Sequence, residues 1–320
     1  MADDDALNSE KNQEPLVSVL IPAYNHHEYI VECLESVRAL NYRRLELIVS
    51  DDCSPDNTFK LAEQWVQKNA DRFERTLVVR QDRNVGLVRN LQSLFHAAQG
   101  DYLAYIASDD LFLESAIAGR VAMLESNPDI DAVFGNAHNI STNGAMIRSE
   151  HISKRNAREL LSSELLTSSI LLRFPAPGPA MILRRGAVLE NGSLGLLQTD
   201  LIAEDVYIYL RLAARGKLRY VNAVVAKYRM VPGDLGGSIP GRLRMEEYVK
   251  VYERIRPLLS GFNRFVLENR MARYKLELNK DKAAFYSVKV FILRIVLVLE
   301  RTIVYSFALA ESCRRNWGRI

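Results

Sequence analysis

Four times within the first 110 residues, a short apolar run ends in a cluster of polar residues. The runs are residues 17–22, 45–50, 76–80 and 102–107, and a segment with helical spacing follows each of them. Runs this short and this continuously apolar read as buried strands. In the first helical segment, residues 28–40, the apolar set is Ile30, Val31, Leu34, Val37 and Leu40. A second helix is predicted up to about Asn69, with Ser54 as N-cap and Pro55 as its first residue, and a third over 87–99, closed by Gly100. Pro22 is expected to stop the first strand. This alternation predicts an α/β fold: a mostly parallel sheet flanked by helices, with right-handed crossovers.

The rhythm continues with a helix over about 114–126 and a strand over about 131–135, then breaks. Residues 141–144 read as a hairpin turn, 158–173 as a helix, 175–179 as a proline-rich loop and 180–183 as a strand. A helix over 204–215 ends at Gly216, and 218–229 give one or two strands. Gly233, Gly236 and Gly237 mark a loop that is either a lid or a linker. From 241 the pattern is helical. The expected organisation is a solvated tail over 1–15, a main domain over 16–235 and a C-terminal helical arm over 236–320.

Ligands of such sheets bind at the carboxyl ends of the strands, and the polar clusters stand there. They are residues 22–25; Asp51 and Asp52; residues 82–86 with Arg89; and Ser108, Asp109 and Asp110. An acidic pair after a strand is often a helix cap, but four such clusters on one sheet edge are harder to explain that way. Asp109 and Asp110 offer hard oxygen ligands for Mg²⁺ or Mn²⁺. Asp52 suits a hydrogen bond from a base N–H, Gly86 lets the backbone approach a ligand, and Arg89 can reach phosphate. The chemistry these residues suit is binding of a metal–nucleotide. No GxGxxG follows the first strand and no GxxxxGK[ST] is present, which disfavours a Rossmann dinucleotide site and a P-loop. The three cysteines form no disulfide framework or zinc pattern, and the five histidines show no ligand spacing.

The ordered series 17–25, 46–56, 84–90 and 100–110, continued by 203–216, resembles the family 2 glycosyltransferases over roughly residues 16–232. The resemblance implies a GT-A fold, a nucleoside-diphosphate sugar donor, a divalent cation and inversion at the anomeric carbon. It implies that Pro22, Ala23 and Tyr24 line the nucleoside pocket and that Asp52 contacts the base. Asn84, Gly86 and Arg89 would sit beside ribose and diphosphate. Asp109 would lie near ribose and metal, Asp110 would bind the metal, and Asp205 would be the catalytic base. Two positions depart from the family pattern. Ala107 and Ser108 stand where a further Asp is frequent, and Val231 stands where a histidine often follows the last strand.

The expected function is therefore a metal-dependent, inverting glycosyltransferase acting on a saccharide or lipid-linked acceptor in surface polysaccharide or glycolipid assembly. The alternative is a catalytically weak, glycosyltransferase-like nucleotide-binding or scaffold module. Nucleic acid is not an expected partner, and the oligomeric state stays open. The acidic N-terminus lacks the features of a signal peptide, so a cytoplasmic setting is expected. Residues 241–320 carry 17 Lys and Arg against 8 Asp and Glu. Residues 285–310 are apolar but interrupted by Lys289, Arg294, Glu300 and Arg301, and a basic, aromatic end follows. This arm either lies on an anionic membrane surface or packs on protein.

Overall fold

The computed structural model describes residues 14–174, 176–188, 195–230 and 241–279. The strands are β1 (Val17–Ala23), β2 (Leu45–Asp51), β3 (Arg75–Arg80), β4 (Tyr102–Tyr105), β5 (Leu111–Phe112), β6 (Ala132–Ile140), β7 (Met146–Arg148), β8 (Met181–Arg184) and β9 (Leu218–Arg229). The helices are α1 (Ile30–Arg38), α2 (Thr58–Asn69), α3 (Leu87–Ala97), α4 (Ala118–Glu125), α5 (Lys154–Leu160), α6 (Leu166–Arg173), α7 (Arg185–Val188), α8 (Glu204–Ala214), α9 (Gly241–Ile255) and α10 (Gly261–Leu278). The tail over 1–13, Val231, the glycine loop 233–237 and the apolar and basic stretch 285–319 lie outside the described residues.

The strand order is β3-β2-β1-β4-β8-β6-β9-β5, with β7 paired to β6. β3, β2, β1 and β4 are mutually parallel, as are β6 and β9, whereas β8 and β5 run antiparallel to their neighbours. The α/β class with a mostly parallel, helix-flanked sheet and C-terminal helices is thus the observed one. Alternation along the strands divides the core. Val19, Ile21, Leu47 and Val49 face the layer holding α1, α2 and α4. Leu20, Ile48, Leu103 and Phe134 face α3, α6 and α8, and Val251, Tyr252, Ile255, Val266 and Leu267 of α9 and α10 join that same core. The first two helices of the arm are therefore packed on the sheet side of the molecule.

Several local expectations are corrected. β1 does not stop at Pro22. Leu20 turns its carbonyl to β4, accepting from the Ile106 N–H at 3.0 Å. Pro22, two residues on, faces the same side beyond the last β4 pairing, so no ladder donor is lost there. α2 begins at Thr58, not at Ser54 and Pro55. The Ser54 N–H donates to Asp51 Oδ2 (2.9 Å), and Ser54 Oγ accepts the Asn25 N–H (2.9 Å), so this side chain ties two strand ends together. Asp56 Oδ1 accepts the Thr58 N–H (2.9 Å) and starts the helix instead. Gly100 is not a helix cap, because α3 ends at Ala97. A Cβ at Gly100 would lie 2.6 Å from the Ser18 backbone nitrogen, so close backbone approach is what requires glycine. The predicted helix 158–173 is two helices, α5 and α6, and the short β5 had no signal in the sequence.

Candidate active site

The loop after β2 meets the loop before α3. The Asp52 carboxylate is buried and accepts the N–H of Val85 (2.7 Å) and of Gly86 (2.9 Å). Gly86 has φ +85°, a left-handed value that turns its amide to the carboxylate, and Asn84 Oδ1 also accepts that N–H (3.1 Å). A carboxylate takes about four hydrogen bonds, so Asp52 retains lone pairs for a ligand. Pro22 and Ala23 are buried, whereas Tyr24 is half-exposed and Asn25 adopts φ +56°. Arg89, in the first turn of α3, is exposed, with no side-chain partner among the described residues.

β4 lies beside β1 and ends in a tight turn, the Asp110 N–H donating to the Ala107 carbonyl (3.0 Å). Asp109 and Asp110 are 5% and 2% exposed. The end of β9 holds this turn. The Arg229 N–H donates to Asp110 Oδ1 (2.7 Å), and its Nε donates to the Asp109 carbonyl (2.7 Å). Its Nη1 donates to the carbonyls of Ser141 (3.2 Å) and Thr142 (2.9 Å), and its Nη2 pairs with Glu32 Oε2 (2.6 Å). The guanidinium lies 4.8 Å from the Tyr29 ring centroid. On the other side, His26 Nδ1 is 2.8 Å from Ser108 Oγ and 3.8 Å from Asp109 Oδ1.

Among the described residues, no three His, Cys, Asp or Glu side chains converge as a metal cage. Two adjacent buried carboxylates still fit Mg²⁺ or Mn²⁺, ions that commonly bind through one or two carboxylates together with substrate phosphates. Cys33, behind this turn, is buried, donates to the Ala107 carbonyl at 3.6 Å and has its thiol pushed up by burial and by the charges of Asp110 and Asp109. It is a core residue.

Glu204 and Asp205 open α8. Burial pushes both carboxyls up, and Asp205's charge raises Glu204 further. Asp205 Oδ1 accepts the Val206 N–H (2.7 Å). Their charges are felt at Tyr105 of β4, whose hydroxyl is raised first by burial, then by Tyr209, Asp205 and Glu204. Two carboxyls held this close suit one protonated and one ionised group.

The structure therefore groups Asp52, Asn84 and Gly86 in one cluster, after β2 and β3, and Asp109 and Asp110 in another, after β4 on the other side of β1, while Asp205 opens α8. Sequence reasoning missed Arg229, Glu32 and the contacts of His26. Arg229 follows Tyr228 in a recognisable pair, but its burial and its five partners have no signature along the chain.

The glycosyl transferase family 2 model matches residues 18–189. Poly-beta-1,6-N-acetyl-D-glucosamine synthase from Staphylococcus aureus is 24% identical over 229 residues, which are 71% of this chain and 53% of that one. S. aureus TarS 1–349 in complex with UDP-GlcNAc superposes with a TM-score of 0.60 at 16% identity, covering 94% of this chain and 92% of that one. Mannosyltransferase PcManGT from Pyrobaculum calidifontis, in complex with GDP-Man and Mn²⁺, gives 0.57 at 18% identity, covering 97% and 89%. At these identities the structural likeness is one of fold. The chain spans about half or less of the length of the curated relatives it matches.

Proposed function

Because this chain belongs to glycosyl transferase family 2, we propose that it moves a sugar from a nucleoside-diphosphate sugar to a hydroxyl acceptor with inversion. We place that activity in the assembly of surface polysaccharide or glycolipid. The observation that carries the reading is the placement of Asp52 at the carboxyl end of β2 and of Asp109 and Asp110 at that of β4, the two strands that flank β1.

In this reading Pro22, Ala23 and Tyr24 line the nucleoside pocket, and Asp52 accepts from the base while holding the 84–86 loop. Asn84 and Gly86 flank ribose and diphosphate, and Arg89, exposed on α3, reaches phosphate. Asp109 and Asp110 would hold Mn²⁺ or Mg²⁺, which when bound offsets negative charge on the diphosphate. Glu204 keeps the proton of the acidic pair, so Asp205 is ionised and takes the proton of the acceptor hydroxyl as that oxygen attacks the anomeric carbon. The nucleoside diphosphate leaves on the opposite side.

A panel of UDP-, GDP- and dTDP-sugars, incubated with the purified chain and Mn²⁺, tests this directly. At least one donor should release its nucleoside diphosphate, with release falling on chelation. Tight nucleotide binding without turnover of any donor would instead mark a nucleotide-binding module.

A further inference from the structure

His26 stands where β1 delivers the chain into the crevice beside β4. Its N–H donates to Thr58 Oγ1 (2.9 Å), which fixes its backbone. The ring meets Tyr29 edge-on, centroids 5.9 Å apart, and 23% of the side chain is exposed. Nδ1 is occupied by Ser108 Oγ at 2.8 Å, whereas Nε2 has no hydrogen-bond partner among the described residues. Ser108 is fully buried, and its hydroxyl proton needs an acceptor there. Nδ1 supplies one. An imidazole that accepts at Nδ1 carries its proton on Nε2. The ring is thus held by one nitrogen and presents an N–H donor at the other.

We propose that the Nε2–H of His26 donates to a phosphate oxygen of the donor nucleoside diphosphate. The inference rests on the glycosyltransferase reading, which places a diphosphate beside Asp109 and Asp110. Two arguments lead to this residue. A diphosphate approaching that turn meets two carboxylates, and the cation buried behind them cannot help, because Arg229 is fully engaged by Asp109, Ser141, Thr142 and Glu32. Arg89 opens α3, the helix that follows β3, and in the strand order β2 and β1 separate β3 from β4. A donor on the β1–β4 side is what the site otherwise lacks, and His26 stands there. The sequence also fits: Ser108, the residue that orients the imidazole, directly precedes the Asp109–Asp110 pair.

The test compares the full chain with His26→Ala, His26→Gln and, as a control, His96→Ala on the outside of α3. UDP, GDP and dTDP are titrated calorimetrically with and without Mn²⁺. The matching nucleoside is followed by NMR and folding by thermal melting. His26→Ala should weaken diphosphate binding by about tenfold or more, as expected for a hydrogen bond to a charged group, with nucleoside affinity unchanged and the loss present with and without Mn²⁺. His26→Gln keeps an N–H at similar reach and should recover most of the affinity, and His96→Ala should match the wild type. The proposal is overturned if His26→Ala or a folded His26→Gln behaves otherwise: diphosphate binding unaffected by the alanine, no recovery by the glutamine, an equal loss for the nucleoside, or a loss seen only with Mn²⁺. If the wild-type chain binds none of the three diphosphates, the donor reading itself fails, and this inference fails with it.

Discussion

Among single residues, the acidic pair opening α8 makes the sharpest statement. Burial raises both carboxyls, and Glu204 goes higher because Asp205's charge adds to it. A carboxyl whose folded pKa is raised contributes its stability at low pH, where it is protonated. That stability is lost as pH climbs above the ordinary carboxylate range through the folded value. Glu204→Gln mimics the protonated acid. It should remove this loss, melting higher than the wild type above neutral pH, and should keep sugar transfer at pH 7 within about threefold, since Asp205 remains the base. Transfer should fall on the acid side with a midpoint above the usual carboxylate range, because Asp205 too is raised. A pH–rate profile and melting curves from pH 5 to 9 check both points. The polar clusters at Asp52 and at Asp109 and Asp110 were legible because each follows a strand, whereas Asp205 opens α8 and was singled out only by the family resemblance. Arg229 was not legible, since a buried arginine and an exposed one look alike in sequence. Only the fold shows that its guanidinium spans α1, the β4 turn and the β6–β7 hairpin. Nor does the sequence show that Glu204, at 8% exposure, is a buried acid.

For the elements, apolar runs gave β1 to β4, β8 and β9 to within a residue or two, since a buried parallel strand needs little beyond continuous hydrophobicity, whereas β6 runs on to Ile140, five residues past its expected end. Punctuation was less legible. Proline, glycine and serine mark exceptions for several physical reasons, and the sequence does not say which reason applies at Pro22, Gly100 or Ser54. Two glycines separate these reasons experimentally. Gly86 has a left-handed φ of +85° and open space around a Cβ, so Gly86→Ala strains only the loop that carries its amide to Asp52. Gly135 sits where the β6–β9 register shifts, and a Cβ there would meet the Ala223 carbonyl at 2.7 Å and Val225 Cγ1 at 2.9 Å. Gly135→Ala should cost about 1–3 kcal/mol of stability, typical of overpacking, and leave nucleotide affinity near wild type once folded. Gly86→Ala should cost about 1 kcal/mol and weaken nucleotide binding. Thermal melting paired with calorimetry would expose the opposite pattern, which would mean that the loops and not the sheet carry the strain.

Over the whole molecule, the sheet and its helices were readable from the strand–helix alternation, but the role of the arm was not. Its basic excess suggested an anionic partner. In the described part many of those charges are paired locally: Arg254 with Asp200, Arg256 and Arg264 with Glu268, Arg273 with Glu277 and Lys275 with Glu253. Buried Glu247 accepts the Ile202 N–H (2.8 Å), so α9 braces the segment that leads into Asp205. Among the described residues no helix is long and apolar enough to cross a membrane. Parallel strands thus end in the acidic residues, β9 holds the Asp109–Asp110 turn, and α9 steadies the segment before α8. The central claim is that Asp205 takes the acceptor's proton at a site that binds donor independently of it. The most direct test measures sugar transfer by Asp205→Asn beside its affinity for donor and Mn²⁺. Affinity should stay within about threefold of wild type and transfer should fall by about a hundredfold or more. Near-wild-type transfer by the folded variant would contradict the claim.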